Sequence, residues 1–417
     1  MQNNSRRGIN IVAYLPSILG KSTIDNLKHN VTGEVIVPGD DHYDTARAAW
    51  NLTVNQYPDV ILIATNADDI AAGLRFARTS NLGVAVQSTG HGVALPANHG
   101  LLIVTSKMTG VLVDPATQTA RIEAGVRWHM VLEKAQEVGL APLLGSSSGV
   151  GAFGYTLGGG MGWLARKYGL SVDSVVEFQV VTADGTVRTA NEELNSDLYW
   201  ALRGGGGSFG VVTAMTIKLY PVTAIYGGSL IYPAAVAKEV FTFYRNWIQY
   251  LPNEWTTSIS IMNFPPLPEL PPFLSGQSVV MINGAYSGEV HVGAMMVQPW
   301  MDWKEPIVNG FHPMPFSQID TVSNDPMEPS AGKSTGGWLK DLSSDTIDDL
   351  IKLAVGSPIL KWDIRYAGGA ISNTQNNAFS YRESVHLLQM VTLVPEPEML
   401  PQVEALMADT KQKLAPH

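Results

Sequence analysis

In the first half of the chain, short apolar runs alternate with longer amphipathic stretches. Residues 60–64, 84–86, 101–104 and 111–113 are the apolar runs, each the length of a strand. Residues 120–124 alternate apolar and polar, as a half-buried strand does. After the first run, Thr65-Asn-Ala-Asp-Asp69 supplies helix-start chemistry and Ile70, Leu74 and Ala77 then share one face, which predicts a helix. A second helix is expected over 128–138, where Val131, Leu132 and Ala135 recur at helical spacing and Gly139 provides the stop. A third is expected over 42–50, after the turn Val37-Pro-Gly-Asp-Asp41. Because 84–86 is purely apolar, it is expected to be a buried strand.

Beyond Pro221 the pattern changes. Residues 235–251 carry Val236, Val240, Phe243, Trp247 and Leu251 on one stripe, predicting an amphipathic helix. Strands are expected over 256–262, 279–286, 362–366 and 387–394, with helices near Glu289, over 346–355, and over 397–414, where Leu400, Val403, Leu406 and Met407 form the apolar side. Helices segregated against an antiparallel sheet make this half α+β. The Pro-rich segments 265–272 and 313–329 read as surface loops, either of which could edge a pocket.

Two glycine-rich stretches carry the candidate chemistry. Val84-Ala-Val-Gln-Ser-Thr-Gly-His-Gly-Val93 breaks a strand into a turn of small residues whose consecutive N–H groups suit phosphate oxygens, with His91 projecting from its centre. Residues 145–162 hold eight glycines among four small hydroxyl residues, a run that ordinary helix does not tolerate at about 1 kcal/mol per glycine. The interruptions by Val150, Phe153, Tyr155, Leu157 and Met161 distinguish it from a flexible linker and point to close approach of backbone to a ligand. Two other motifs fail on context. Gly205-Gly-Gly-Ser-Phe-Gly210 follows a helix and opens a strand, the reverse of a dinucleotide fingerprint, and Gly332-Lys-Ser334 has Met327 where a P-loop needs its first glycine.

Composition narrows the classes. The 417 residues are 45% hydrophobic and 15% charged, enough apolar material for one large or two medium cores. A net charge of -10 argues against a nucleic-acid partner, so an anionic ligand has to be held by backbone N–H groups. With no cysteine there is no disulfide or thiolate nucleophile, and the histidines lack metal-ligand spacing, so no metal site is expected. The start, Met1-Gln-Asn-Asn-Ser-Arg-Arg7, reads as no secretory signal, and the run over 9–19 is broken by Asn10, Tyr14, Pro16 and Ser17. A cytoplasmic location with no membrane partner is the expectation.

Six ordered motifs then carry a family resemblance: Pro58-Asp59 before a strand; Ser88-Thr-Gly-His91; the 145–162 run; Arg166-Lys-Tyr-Gly-Leu-Ser-Val-Asp173; Val181-Thr-Ala-Asp-Gly185; and Asp197-Leu-Tyr-Trp-Ala-Leu-Arg-Gly-Gly-Gly-Gly207 with Phe209-Gly-Val-Val-Thr213. Their order resembles that of berberine-bridge-enzyme-like FAD-linked oxidases, of the vanillyl-alcohol-oxidase (PCMH-type) superfamily, densely over residues 33–222 and again at Gly368-Gly-Ala370 and Ala378-Phe-Ser-Tyr-Arg382. The resemblance implies an α+β fold. A two-lobed PCMH-type FAD-binding domain over 33–222 (lobes about 33–108 and 109–222) would precede a substrate domain over 223–395, an antiparallel sheet backed by helices.

The family attaches its flavin at the histidine matching His91. Many relatives add a second bond from a cysteine, but the matching position is Ser147, so a single bond is expected. Gln87, Ser88, Thr89, Gly90, Gly92, Gly145, Gly149, Val150, Gly151, Gly154, Tyr155, Gly159, Gly210 and Val212 complete the expected FAD site, with Val150 at the position that gates oxygen. The implied activity is an FAD-dependent oxidase taking a hydride from an alcohol, sugar hydroxyl or amine-bearing carbon of a small-molecule substrate and passing electrons to O2. An FAD-dependent dehydrogenase, or a flavin-holding protein with little turnover, is the alternative. The oligomeric state is not readable.

Relatives close with a flavin-domain segment bearing an aromatic-x-Asn-aromatic motif that nothing after Val394 matches, so the chain is expected to be cut short after the 396–417 helix. Either the sequence is incomplete, or the proton acceptor comes from the substrate domain, with Tyr366 and Tyr381 as candidates among a substrate-facing group that includes Arg365, Arg382, His386 and Gln389.

Overall fold

The computed structural model describes residues 19–93, 95–373 and 376–417; the chain start, up to residue 18, lies outside the described residues. Three sheets follow one another along the chain. The first has order β1-β2-β4-β3, with β1 Glu34–Ile36, β2 Val60–Ile63, β3 Val84–Gln87 and β4 Leu101–Val104; β2 and β3 both run parallel to β4. The second is antiparallel, order β5-β6-β9-β7-β8, from β5 Val111–Asp114, β6 Thr119–Glu123, β7 Val175–Val181, β8 Val187–Ala190 and β9 Val211–Lys218. One continuous core joins these two sheets to the helices Ala67–Thr79 and Trp128–Gln136.

Strands β2 and β4 are covered on both faces, as their unbroken apolar runs demand. The expectation of a buried strand over 84–86 is corrected: Val84 and Val86 are 41% and 49% exposed. The later strand β4 takes the place beside β2, leaving β3 on the sheet edge. The helix expected over 42–50 is likewise short, Tyr43–Ala46, because the N–H groups of Trp50 and Asn51 donate to the carbonyls of Thr89 and Gly90 instead of continuing it.

The third sheet has order β13-β10-β12-β11-β16-β17-β15, with β14 also on β10. Its strands are β10 Ala224–Pro233, β11 Trp255–Asn263, β12 Ser278–Tyr286, β13 Val308–Asn309, β14 His312–Pro315, β15 Gly332–Leu339, β16 Lys361–Tyr366 and β17 His386–Leu393. One face is apolar: Leu230, Tyr232, Ile259, Ile261, Val280, Ile282, Trp362, Ile364, Leu388 and Met390 pack under the helices Ala237–Trp247, Val290–Trp303, Ser344–Ala354 and Leu400–Leu414. On the first of these helices the buried stripe is Ala237, Val240, Phe241, Tyr244 and Trp247, while Val236, Phe243 and Leu251 are only partly buried.

Three elements here differ from the sequence reading. Gly227-Gly-Ser229 sits within β10 and Gly332-Lys-Ser334 begins β15, where a Cβ on Gly336 would lie 2.6 Å from the Leu388 carbonyl oxygen. Glycine in these strands serves close interstrand approach. The segment over 313–329 is no simple surface loop, since β14 pairs with β10 and Phe316, Ile319 and Val322 are buried.

Two buried arginines join the halves. Arg166 donates to the carbonyls of Trp255 (2.9 Å) and Ala367 (2.5 Å) and lies 4.1 Å over the Tyr366 ring. Arg382 pairs bidentately with Asp173 at 2.7 and 3.0 Å, and Asn377 donates to the same carboxylate. Phe379 fills the space left by Gly159 and Gly204. Among the described residues no helix is long and apolar enough to cross a membrane.

Candidate functional site

Strand β3 ends in the His91 turn, and the turn is fixed from below. Gly90 has φ +82, and a Cβ there would come within 2.7 Å of Ala49, so the turn packs directly on the backbone that follows the 43–46 helix. The Thr89 and Gly90 carbonyls are occupied by Trp50 and Asn51, whereas among the described residues nothing accepts from the N–H groups of residues 88–92. The Ser88 hydroxyl is buried without a partner. Gln87, by contrast, spends its side chain on the fold, donating to the Ala48 carbonyl and accepting from Gln56.

His91 stacks on Trp50 with ring centroids 4.1 Å apart, and its Nδ1 lies 2.7 Å from Thr89 Oγ1. Burial first, and then nearby Arg127, pushes its pKa down to about 4. Near neutral pH the imidazole is therefore uncharged, with one ring nitrogen holding a lone pair.

The 145–162 run lies against this turn. A Cβ on Gly151 would stand 3.1 Å from Ser88 Oγ, and the Gly151 backbone bridges to Arg127. The expectation that the run excludes helix is corrected by one short helix, Ala152–Leu157. Its buried face, Ala152, Phe153, Thr156 and Leu157, belongs to or abuts the core, and tertiary packing outweighs glycine's cost. On the other face Gly154 and Gly158 are exposed, and a Cβ on Gly154 would meet nothing within 4 Å. Gly206 and Gly207 are equally open, and Gly206 donates to the Leu157 carbonyl. The Gly205–Gly210 motif thus extends the same bare ridge, which its failed fingerprint order concealed. Gly159 and Gly210 are glycine for packing: a Cβ would come 2.5 Å from Phe379 and 2.7 Å from Val180 respectively. Val212 is a buried strand residue, and Gly149 abuts Met327.

Between the first two sheets' half of the chain and the third sheet lies a cavity of about 950 Å³. Of the expected site residues it brings together His91, Gly145, Ser147, Val150 and Tyr155, joined by Trp50 and Ser146. Tyr155 has a buried hydroxyl without a partner; burial raises its pKa far above the usual range and Arg365 offsets this only in part, so it is a neutral hydrogen-bonding phenol. Ser147 faces Met327, its hydroxyl 3.7 Å from the sulfur. The strap over 320–330 closes this side, with Ser146 donating to Asp325 at 2.5 Å and Ser148 donating to Asp320.

The opposite wall is the polar face of the third sheet, where Arg365 bonds Asp363 at 3.0 Å and the Met161 carbonyl at 3.1 Å. Burial alone would raise the Asp363 pKa, but Lys361 and Arg365 hold it below the usual carboxylate range. Of the substrate-facing candidates, Arg365 and Gln389 line the cavity; Tyr366, Tyr381, Arg382 and His386 do not. Strand alternation explains the first and last of these corrections, because Tyr366 follows Arg365 and its cross-strand partner is His386, both on the helix side with rings 5.8 Å apart. Tyr381 is 63% exposed outside the cavity, and Arg382 is committed to Asp173. The sequence reading missed Trp50, Ser260, Asn283, Asp325 and Lys361, all on the cavity wall. Only the period-two register of β11, β12 and β16 would have exposed Ser260, Asn283 and Lys361.

These features fit FAD. Free N–H groups over 88–92, the orphaned Ser88 hydroxyl and the bare glycine ridge form a cradle that side chains would fill, and a buried polar atom left unpaired costs about 1–3 kcal/mol.

Known proteins agree. The FAD binding domain family matches residues 58–191. Over 94% of this chain and 86% of the relative, the sequence is 27% identical to an FAD-linked oxidoreductase of Dictyostelium discoideum. It is 35% identical to (R)-6-hydroxynicotine oxidase of Paenarthrobacter nicotinovorans over 46% of this chain and 42% of that enzyme. The structure matches a berberine-bridge-enzyme-like protein of Physcomitrella patens with TM-score 0.83 at 22% identity, covering 94% and 88% of the two chains.

The two kinds of glycine separate experimentally. Gly159→Ala, at φ +110 against Phe379, should lower stability by about 1–3 kcal/mol. Gly154→Leu should leave the thermal unfolding midpoint of flavin-free protein unchanged yet reduce the visible absorbance of bound flavin; full flavin content in Gly154→Leu would contradict the cradle.

The chain thus carries a match to the FAD binding domain over residues 58–191 and has the fold of a berberine-bridge-enzyme-like protein.

Proposed function

We propose that the chain is an FAD-dependent oxidase acting on a small hydroxyl- or amine-bearing molecule, with FAD held covalently through His91 alone. The observation that carries this reading is the convergence of His91, the glycine run and the polar face of the third sheet on one cavity. FAD held there would supply a hydride acceptor for the substrate carbon and a relay of the electrons to O2, with the substrate's O–H or N–H proton passing to solvent.

The chain's own residues supply binding and orientation. N–H groups of residues 88–92 would hold phosphate oxygens that an acidic protein has few free cations to meet. His91, uncharged and held by Trp50 and Thr89, has the lone pair that attachment to a flavin needs. Ser147 offers a hydroxyl with no acidifying partner, so it does not add a second bond. Tyr155 and Arg365 would present hydrogen-bond donors to a substrate oxygen, while the 320–330 strap limits water at the wall. Val150 on the same wall is the proposed gate for O2.

Acid precipitation tests the attachment. Yellow colour should stay with the precipitated protein, and His91→Ala should release it to the supernatant; release from the unaltered protein would refute the covalent bond. Stopped-flow reoxidation tests the acceptor. Reduced protein should reoxidise rapidly in air, and Val150→Leu should slow it by adding bulk to the wall. Slow reoxidation of the unaltered protein would favour the dehydrogenase reading.

A further inference from the structure

Three successive cross-strand rows face the cavity. The row nearest the glycine run is Ser229, Asn283, Ser258 and Arg365. Next come Ile231, Met281, Ser260, Asp363 and Gln389, and then Met262, Lys361 and Val391. Polarity falls along the strands. Across β10, β12, β11 and β16 the first row is polar, with Leu387 following Arg365 on β17, and the second is mixed; past Met262 the wall on the β11 side is Phe264, Phe273 and Leu274, while Lys333, Ser334 and Leu393 line the β15–β17 side. Phe273 and Leu393 are 40% and 45% exposed, so this apolar end is the rim, about 20 Å along β11 from Ser258.

Three acceptor atoms in these rows lack partners, Asn283 Oδ1, Ser260 Oγ and Asp363 Oδ1, and the first two belong to residues on the cavity wall. Asn283 and Ser260 are 2% and 1% exposed, both line the cavity, and Asn283 Oδ1 and Ser260 Oγ make no hydrogen bond. Asn283 Oδ1 and Ser260 Oγ can each accept a hydrogen bond from a hydroxyl. The nearby carboxylates are charge-balanced, Asp363 by Arg365 through Oδ2 and Asp325 by Lys361, so an ammonium head would face two cations as well, and Asp363 offers it only the one unpartnered oxygen Oδ1.

We infer that the cavity takes an amphipathic alcohol, its hydroxyl head between Asn283 and Ser260 and its apolar tail over Met262, Phe264 and Phe273. This deepens the flavin-oxidase reading and rests on it for the identity of the reacting end. An oligosaccharide fits less well, because a second sugar would press its hydroxyls against the apolar rim and lose their hydration without replacement.

Equilibrium dialysis under nitrogen of the full yellow protein with 4-alkylbenzyl alcohols, methyl to pentyl, tests this. Kd should fall about three- to fourfold per added CH2, and cellobiose should bind more weakly than any of them. Asn283→Leu should weaken every member by about the same factor, near tenfold, and keep the slope. Phe264→Ser combined with Phe273→Ser should flatten the slope and spare the methyl compound. An unchanged unfolding midpoint and flavin absorbance verify each variant, and the slope in unaltered protein needs no variant. Affinity independent of tail length, or cellobiose binding tighter than the pentyl alcohol, would overturn the inference. Protein that shows the slope but carries no flavin would overturn the flavin reading and leave the cavity's preference intact, whereas yellow protein without the slope would do the reverse.

Discussion

Successive residues of a β-strand must point to opposite faces, and the third sheet turns that constraint into the site. Residues such as Ile259, Ile282, Ile364 and Leu388 on one face pack under helices, while Ser260, Asn283, Arg365 and Gln389 on the other line the cavity. The assignment is all or nothing along a strand. Ile364 and Tyr366 go to the helices on β16, so Asp363 and Arg365 must go to the cavity side. A slip of one residue in register would place apolar side chains in the cavity and charges in the core. The helix-facing core therefore fixes which polar groups are available for recognition.

The other wall is built by subtraction. Glycine at 90, 151 and 159 lets loops approach one another more closely than side chains allow, while glycine at 154, 206 and 207 leaves backbone bare. The first group positions His91 against the run, and the second gives a flat ligand a surface. Between the halves, Arg166 and Arg382 bond carbonyls and a carboxylate across the junction, and both are buried. Breaking such a pair leaves an uncompensated buried charge, so the two walls hold a defined separation.

Much of this was legible in the sequence because it is local. The His91 turn, the glycine run and the helices at Ala67–Thr79 and Trp128–Gln136 declare themselves within a window of a dozen residues. What was not legible is long-range. The edge position of β3 depends on where β4 inserts, and the role of Tyr366 depends on whether odd or even residues of β16 face the helices. Neither is set by neighbouring residues. Strands β10 and β15 were hidden by glycines that serve interstrand contact, and Ser260 and Asn283 look like ordinary strand residues until their cross-strand partners are known.

The central claim is that one cavity, bounded by the His91 turn, the glycine run and the polar face of the third sheet, holds the flavin against its substrate. Diffraction from crystals of the yellow protein tests it most directly. The account predicts flavin-ring density inside that cavity, continuous with the His91 imidazole and beside Val150. Ring density outside the cavity, or well-defined density inside it that is separated from His91, would contradict the account.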